Sequence, residues 1–301
     1  MYRITALLFF FLFALSAENY GQAEKERSFF EPSDTLHKPR RNAVVLTEAA
    51  IGGLTLAGLY QLWYKDYEQS SFRFINDNDE WLQLDKVGHV YSSYHLGRVG
   101  ADLLAWSGVK KRDQLLYGAT LGLGFLTAVE VFDGFSAEWG ASTGDLLANA
   151  AGTGFYIGQE LLWQDQRMVL KYSFHQTQFS AQNPEKLGNG LAEEFLKDYN
   201  GQTYWISANV NAFLGDTLLP NWLNLAVGYG GEGMLTGIPL ADDPTSRYRQ
   251  YYLSLDIDFR RIKTTSGFLR SVFSVINTLK VPAPTLIYST EKNLQFSLLY
   301  F

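Results

Sequence analysis

Residues 84–106 read LDKVGHVYSSYHLGRVGADLLAW, and this stretch decides the fold of the first half of the chain. Its apolar side chains recur near the spacing of an α-helix, so we predict one helix over the whole stretch. Arg98 and Asp102 stand four residues apart, where opposite charges pair on a helix surface. The stretch is too polar to be a lipid-exposed span. We expect His95 to lie on the surface of this helix.

Three further apolar segments around this stretch predict a helical unit. They cover residues 43–64, 112–132 and 142–163. Each segment contains several glycines, and because glycine weakens an isolated helix, this pattern indicates close helix–helix packing. The last segment begins with Ser142 and Thr143, and either side chain is suited to cap a helix. Asp145 stands in its first turn, where a carboxylate is favoured. We therefore predict a glycine-rich four-helix unit over about residues 43–165.

After Asp165 the pattern changes to the alternation of strands that are apolar on one side. Alternating segments lie at residues 170–174, 204–212, 223–229 and 251–260. A predicted helix at 267–279 and a predicted hairpin of 286–288 with 294–301 follow them. The predicted fold class is α+β, with the four-helix unit followed by a β-rich C-terminal part over residues 166–301.

The C-terminal end suggests how these strands are used. Phe301 follows alternating apolar residues, an ending typical of the last strand of outer-membrane β-barrels. We predict about six strands, whereas a minimal bacterial barrel needs about eight. Two interpretations stay open: an outer-membrane sheet, and a small barrel-like sheet packed on the helices.

The N-terminus has the features of a signal peptide. Arg3 supplies a positive charge, residues 7–15 form an unbroken apolar run, and small residues follow it. The run is short for a membrane span, so we predict a cleaved signal over residues 1–23, with an uncleaved anchor as the alternative. Residues 24–42 are charged and are predicted to form a tether.

The composition excludes several classes of function. A net charge of −6 provides no basic surface, so we exclude a nucleic-acid partner. The chain has no cysteine, which excludes disulfides, thiolate metal sites and thiol nucleophiles, and we expect no lipid anchor on a cysteine. Aromatic residues make up 15% of the chain, which suits sheet surfaces and membrane interfaces.

We predict an exported protein of the periplasm or outer membrane, with the envelope membrane or a lipid as its partner. The alternative location is the inner membrane, crossed by residues 43–64 and 112–132.

Polar residues gather where three of the predicted helices meet loops. In chain order they are Asp85, Lys86, His89, Glu130, Asp133, Ser142, Asp145 and Asn149. Because buried carboxylates are costly unless they are paired, three helix ends with such residues predict one shared polar site.

Three interpretations of this site stay open. In the first, His89 is a general base oriented by Asp85, with Glu130 as a third catalytic group. The residues that then bind a ligand are Lys86, Asp133, Ser142, Asp145 and Asn149. In the second, a divalent cation is held by His89, Glu130, Asp133 and Asp145, although the histidine spacing of zinc sites is missing. In the third, the polar groups pair with each other and only fix the helices.

The order of these motifs resembles a known family. The motifs are Asp85-Lys86-x-x-His89, then Glu130, then Gly140-Ala-Ser142-x-x-Asp145-Leu-x-x-Asn149-x-x-Gly152. They are similar to the VanZ-like superfamily, most of all to its YfiM-type predicted periplasmic lipoproteins, and the aromatic C-terminal half resembles long forms from Bacteroidetes-type envelopes. The resemblance implies a helical hairpin unit and an envelope location, and it implies no substrate. The missing cysteine and the β-rich tail depart from the family pattern.

We therefore predict a cell-envelope protein that binds a lipid or a glycan-linked ligand at the polar site. The alternatives are a metal-assisted hydrolase or transferase acting on an envelope lipid, and a purely structural outer-membrane module. We assign no cofactor, and we leave the metal and any protein partners open.

Overall fold

The computed structural model describes residues 29–215, 219–239 and 245–301. The predicted signal peptide, residues 1–23, lies outside the described residues. Residues 24–28 of the predicted tether lie outside the described residues as well. The tether prediction is wrong at residues 38–42, because the first helix already begins at Lys38. The side chain of His37 caps this helix by accepting a hydrogen bond from the amide of Arg40.

Within the described residues, a helical unit is followed by a sheet with short helices. The helices are α1 (Lys38–Leu59), α2 (Leu84–Trp106), α3 (Lys111–Asp113), α4 (Leu121–Gly134), α5 (Thr143–Trp163), α6 (Pro184–Leu187), α7 (Leu191–Lys197), α8 (Val210–Leu214) and α9 (Gly267–Ile276). The predicted helix over 84–106 is confirmed as α2, and the predicted cap of α5 is confirmed because Ser142 Oγ accepts a hydrogen bond from the Asp145 amide.

The strands lie mainly in the second half of the chain. They are β1 (Phe74–Ile75), β2 (Ala141–Ser142), β3 (Met168–Phe174), β4 (Gln202–Asn209), β5 (Leu223–Glu232), β6 (Tyr248–Ile257), β7 (Ala283–Ser289) and β8 (Asn293–Tyr300). β1 and β2 pair in parallel, and β3 to β8 form a six-stranded antiparallel sheet in sequence order. The α+β fold class is confirmed. Among the described residues, β3 and β8 do not pair with each other, so the sheet is open.

Two predicted strands are too long. The segment 251–260 ends as a strand at Ile257 of β6. Residues 204–212 alternate, but β4 ends at Asn209. The side chain of Asn209 accepts a hydrogen bond from the amide of Ala212 and so starts α8. A capping side chain thus overrides the alternating pattern at this point.

The helical unit packs around α2, which lies against both α4 and α5. Gly152 of α5 lies against the carbonyl of Val90, and Gly122 of α4 lies against the backbone of Ser93. Side chains at either glycine would separate the helices, so the prediction of close packing is confirmed at these two positions. At Gly154 of α5, by contrast, a β-carbon would meet nothing within 4 Å.

The sheet reverses the usual arrangement of a soluble sheet, since its inner face is polar and much of its outer face is apolar. Tyr300 at the end of β8 lies at 3.1 Å from the hydroxyl of Thr203 on β4, so the sheet curls around its inner face. Trp205 and Tyr252 fill the space between them.

Two helical stretches are long and apolar enough to cross a membrane by length and composition. They are Lys38–Leu59 and Lys111–Gly134. Only 6% of the first apolar window and 28% of the second are buried in the protein. These stretches overlap the two segments named for the alternative inner-membrane location, which stays a prediction.

His95 contradicts the expectation of a surface position. Its side chain is buried, and its Nε2 lies 2.7 Å from the carbonyl oxygen of Leu170. The reason is that β3 crosses this face of α2, which the pattern of the helix alone does not reveal. The predicted contact of Arg98 with Asp102 is present at 3.9 Å.

Candidate functional site

Three helix ends bring the predicted polar residues together. Asp85, Lys86 and His89 stand in the first two turns of α2, which starts after a left-handed turn at residues 81–83. Glu130 lies near the end of α4, and α5 contributes the rest from its first turns. We call Asp77, Asp85, Lys86, His89, Glu130, Ser142, Asp145 and Asn149 the polar centre.

Lys86 is the hub of the polar centre. Its Nζ lies 2.6 Å from Asp77 Oδ2, 3.1 Å from Asp85 Oδ2 and 2.9 Å from Asp145. Burial by itself lowers the pKa of Lys86, but these carboxylates outweigh it and raise the pKa well above its ordinary value. The ammonium group is therefore permanently charged, and it is already shared among three acids.

His89 has two different sides. Its Nδ1 lies 3.0 Å from Asn149 Oδ1, which fixes the ring and makes Nδ1 the donor. Its Nε2 faces Asp85 Oδ1 and Glu130 Oε1 at 4.0 Å each and Asp145 Oδ1 at 3.9 Å. These distances are too long for hydrogen bonds, so Nε2 faces three carboxylate oxygens without bonding to them.

Ser142 ties the three helix ends to each other. Its amide donates to Glu130 Oε2 at 2.9 Å, and its hydroxyl donates to Asp77 Oδ1 at 2.6 Å. Because the same oxygen caps α5, Ser142 is held by the scaffold on several sides. Ser142 therefore positions the acids of the polar centre and makes no direct hydrogen bond to His89.

Asp133 lies apart from the others. Its Oδ1 accepts a hydrogen bond from Tyr64 at 2.7 Å, just past the end of α1. Burial raises the pKa of this carboxyl to about 6. The structure therefore brings the other seven predicted residues together and directs Asp133 towards α1.

Two residues were not predicted from the sequence: Asp77, a member of the polar centre, and Tyr199, which contacts the centre through Asp85. Asp77 stands in the acidic segment 76–80, just ahead of α2. Tyr199 donates to Asp85 Oδ1 at 2.7 Å, although it is 114 positions away in the chain. The run of acids at 77–80 is a weak signal for the first, and no local pattern points to the second.

Comparison with known proteins matches the region that carries this geometry. Residues 74–158 match the family described as "Predicted periplasmic lipoprotein (DUF2279)". No curated protein and no solved structure shows a significant match to the chain. The matching family is uncharacterised, and the match supports an exported, periplasmic location. The wider VanZ-like resemblance stays a prediction.

The region shared with the periplasmic lipoprotein family contains every residue of the polar centre, from Asp77 to Asn149. Tyr199, the donor to Asp85, lies outside it. The matched part therefore supplies the site, and the β-rich part supplies a supporting contact.

Electrostatics in the centre are dominated by acids. Burial raises the pKa of Glu130 to about 7 and also raises that of Asp145, which lies close to Asp85. Burial favours the neutral form of Asp85 too, but His89 and Lys86 outweigh it and lower its pKa. Burial lowers the pKa of His89, and the surrounding carboxylates outweigh that and raise it. The centre thus attracts positive charge.

This arrangement fits a metal ion better than a general base. A general base oriented by Asp85 would need a hydrogen bond, and the 4.0 Å separation from His89 is too long for one. Ligand atoms of His89, Asp85 and Asp145 all lie within 4.8 Å of one another. Ligands about 2.0–2.6 Å from one ion lie roughly 3–4 Å apart, so a small contraction would bring these three around a cation.

Two open clefts of about 370 and 450 Å³ lie elsewhere. Both are bordered by Arg260 and Arg261, beside the far end of α5. Access to the polar centre is instead along His89, whose side chain is 19% exposed.

Proposed function

We propose that this envelope protein binds a divalent cation at His89, Asp85 and Asp145, and through the cation an anionic lipid or glycan-linked ligand. The observation that supports the proposal is the side of His89 that faces three carboxylate oxygens at 3.9–4.0 Å. Metal-bound histidine usually donates its other ring N–H to an oxygen, and Asn149 provides that acceptor.

The balance of charge supports a cation. Four carboxyl groups, from Asp77, Asp85, Glu130 and Asp145, surround two basic side chains, Lys86 and His89. An ion of charge two would replace the proton on His89 and lower the pKa values of Glu130 and Asp145. Imidazole with carboxylates suits ions such as Zn²⁺ and Mn²⁺.

The second candidate, a metal-assisted hydrolase or transferase on an envelope lipid, uses the same ion. The partial exposure of His89 leaves a side from which a phosphate oxygen can approach the ion. In such a reaction the ion would polarise the phosphate, and His89 would be a ligand instead of a base. Lys86 would stay occupied by its carboxylates.

Cation binding is tested on the purified full chain. We expect Zn²⁺ or Mn²⁺ to bind in calorimetry with one ion per chain and to raise the unfolding temperature. The variant His89→Ala should lose this binding, whereas His175→Ala, which changes a histidine outside the centre, should keep it. A fully folded wild type that binds neither ion would refute the proposal and leave the purely structural interpretation.

A substitution at Asn149 tests the metal site without removing any of its three proposed ligands. Asn149→Leu leaves all three ligands but removes the acceptor for His89 Nδ1, and outer partners of this kind typically change metal affinity about 10–100-fold. We expect a loss of that size in calorimetry. Unchanged affinity would mean that the ion binds elsewhere.

The anionic ligand is tested separately with the metal-loaded protein. Binding to vesicles that carry phosphatidic acid should exceed binding to neutral vesicles, and removal of the ion by a chelator should abolish the difference. Release of inorganic phosphate or a headgroup over time would favour the enzyme. Ion binding without any preference for the anionic lipid would restrict the function to the cation.

A further inference from the structure

The six-stranded sheet has its polar side inside. Lys171 of β3 and Asp256 of β6 have fully buried side chains, and their charged atoms lie 2.7 Å apart. Ser207 of β4 donates to Asp256 at 2.6 Å, and Thr285 of β7 donates to Ser254 at 2.9 Å. The inner face thus carries an ion pair and hydrogen-bonded hydroxyls, beside the buried rings of Trp205 and Tyr252.

The outer face carries an unbroken apolar row across five neighbouring strands. Pairing places its members directly opposite each other, in the order Ile206, Val227, Leu253, Leu286 and Phe296. Between 43% and 64% of each of these side chains is exposed. Adjacent strands lie about 4.8 Å apart, so the row extends for roughly 19 Å. Leu225 and Leu255 pair with each other two residues along the strands from this row, on the same face, and widen the apolar surface.

Tyrosines border this apolar row on one side. A second row, two residues away, pairs Tyr172, Tyr204, Tyr229, Tyr251 and Tyr288 across five strands. The first two pack against Tyr91 of α2, and the last two are exposed. The face that carries the helical unit over β3 and β4 therefore continues over β5 to β8. There Tyr229 still contacts the Leu82 carbonyl, whereas Tyr251 and Tyr288 are exposed.

We propose that the outer, convex face of β5, β6 and β7 dips into the hydrocarbon of a lipid bilayer, with Tyr251 and Tyr288 at the headgroup level. Three observations favour lipid over a protein partner. The polar groups of the sheet are satisfied inside, the apolar row contains no hydrogen-bonding side chain, and tyrosine at its border is typical of membrane interfaces. A protein interface would carry polar groups among its contacts.

The contact involves the face and not the whole sheet. An uncovered strand edge is not tolerated in hydrocarbon, and β8 pairs only with β7 among the described residues. The deepest side chains are therefore expected in the middle of the row, at Val227 and Leu253. This proposal rests on the sheet and is independent of the polar centre.

The absence of cysteine allows a direct test on the full chain. Single variants Val227→Cys, Leu253→Cys and Tyr288→Cys receive a nitroxide spin label. Leu196→Cys is the control, because Leu196 is at least as exposed but lies on α7, outside β5, β6 and β7. The labelled proteins are mixed with vesicles of phosphatidylethanolamine and phosphatidylglycerol. Collision with oxygen, which concentrates in lipid, is compared with collision with a water-soluble nickel chelate.

In vesicles we expect the labels at Val227 and Leu253 to collide several times more often with oxygen than with nickel. The label at Tyr288 should be intermediate, and the label at Leu196 should favour nickel. Strong nickel collision at Leu253 would mean that the face stays in water. Weak collision with both reagents would mean that a second copy or another protein covers it, and either result overturns the proposal.

A lysine placed on the apolar row provides a second test, which is read out by flotation of the protein with vesicles. Leu253→Lys should lower the fraction that floats with the vesicles about tenfold or more, because a lysine on a lipid-facing strand is strongly disfavoured. Leu196→Lys should leave flotation unchanged. Circular dichroism checks that both variants fold, and equal flotation of the two folded variants would contradict the lipid contact.

Discussion

His89 and His95 lie on the same helix, α2, and their surroundings shift the pKa values of the two rings in opposite directions. His89 stands among carboxylates, which raise its pKa. Burial and then the nearby Arg98 lower the pKa of His95 to about 3. Its Nε2 donates to the Leu170 carbonyl, so the neutral ring is part of the contact between α2 and β3. Two identical side chains thus take separate roles, one in a site and one in the core.

Acid should weaken the protein through His95. Its pKa is about 6.5 in the unfolded chain and lower in the folded protein, so the unfolded state binds the extra proton as the pH falls. The contribution to stability is complete above pH 6.5 and declines below it, by about 2 kcal/mol between pH 7 and pH 5. Urea unfolding of wild type and His95→Gln checks this, since the variant should show a shallower decline. Parallel declines would assign the acid sensitivity to other groups.

Most of the polar residues that were predicted from the sequence to share one site do meet in the folded protein. Seven of the eight predicted polar residues meet, because each stood at the end of an apolar helix where burial demands a partner. Asp77 was missed because a loop residue carries no periodic signal. His95 was misplaced because the strand that covers it is far away in sequence.

Helix packing is decided by glycines at particular positions. Gly152 and Gly154 lie in the same helix, α5, and both indicated close packing in the sequence. Only Gly152 faces α2, where the Val90 carbonyl fills the place of a side chain. The face that a glycine occupies, and not its presence, decides whether the helices approach.

These two glycines give a matched pair of variants. Gly152→Ala should destabilise the protein by about 1–3 kcal/mol, because it forces α5 away from α2. Gly154→Ala should stabilise it by about 0.5–1 kcal/mol, because alanine favours the helix and meets nothing. The midpoints of urea unfolding measure both. Equal effects of the two substitutions would contradict the assigned faces.

The sheet is stabilised by an ion pair in its interior. Lys171→Met should cost about 3–5 kcal/mol, since it leaves Asp256 buried without its closest cation. The double variant with Asp256→Leu should recover part of this loss. As a control, Lys197→Met removes a partly exposed pair with Glu193 and should cost less than about 1 kcal/mol. A single variant as stable as wild type would mean that Lys280, 3.9 Å from Asp256, takes over.

At the scale of the whole molecule, the two halves of the chain meet at the polar centre. Tyr199 follows α7 in the β-rich part and holds Asp85 at the start of α2. Tyr204 of β4 also lies against Gly88 of the same helix turn. The sheet therefore supports the site that the helical unit carries.

Removing one hydroxyl tests this coupling. Tyr199→Phe keeps the ring but removes the donor to Asp85, and hydrogen bonds to charged groups contribute about 1.5–3 kcal/mol. We expect a loss of stability in that range, measured by urea unfolding. Tyr117→Phe, at an exposed tyrosine, should have no effect. If Tyr199→Phe leaves the free energy of unfolding unchanged, the hydrogen bond between the two parts of the chain does not contribute to stability.

The sequence by itself determined the elements and the kinds of groups they carry. Periodicity located α2, α5 and the six strands, since side-chain alternation follows directly from backbone geometry. It also identified most of the polar centre. Only the tertiary structure decided which side of each element faces inwards. Residues such as Leu253 and Ser254 alternate identically whether the apolar side is buried or exposed. The burial of Lys171 with Asp256 shows that here the polar side is inside, because two buried charges require each other across strands distant in sequence.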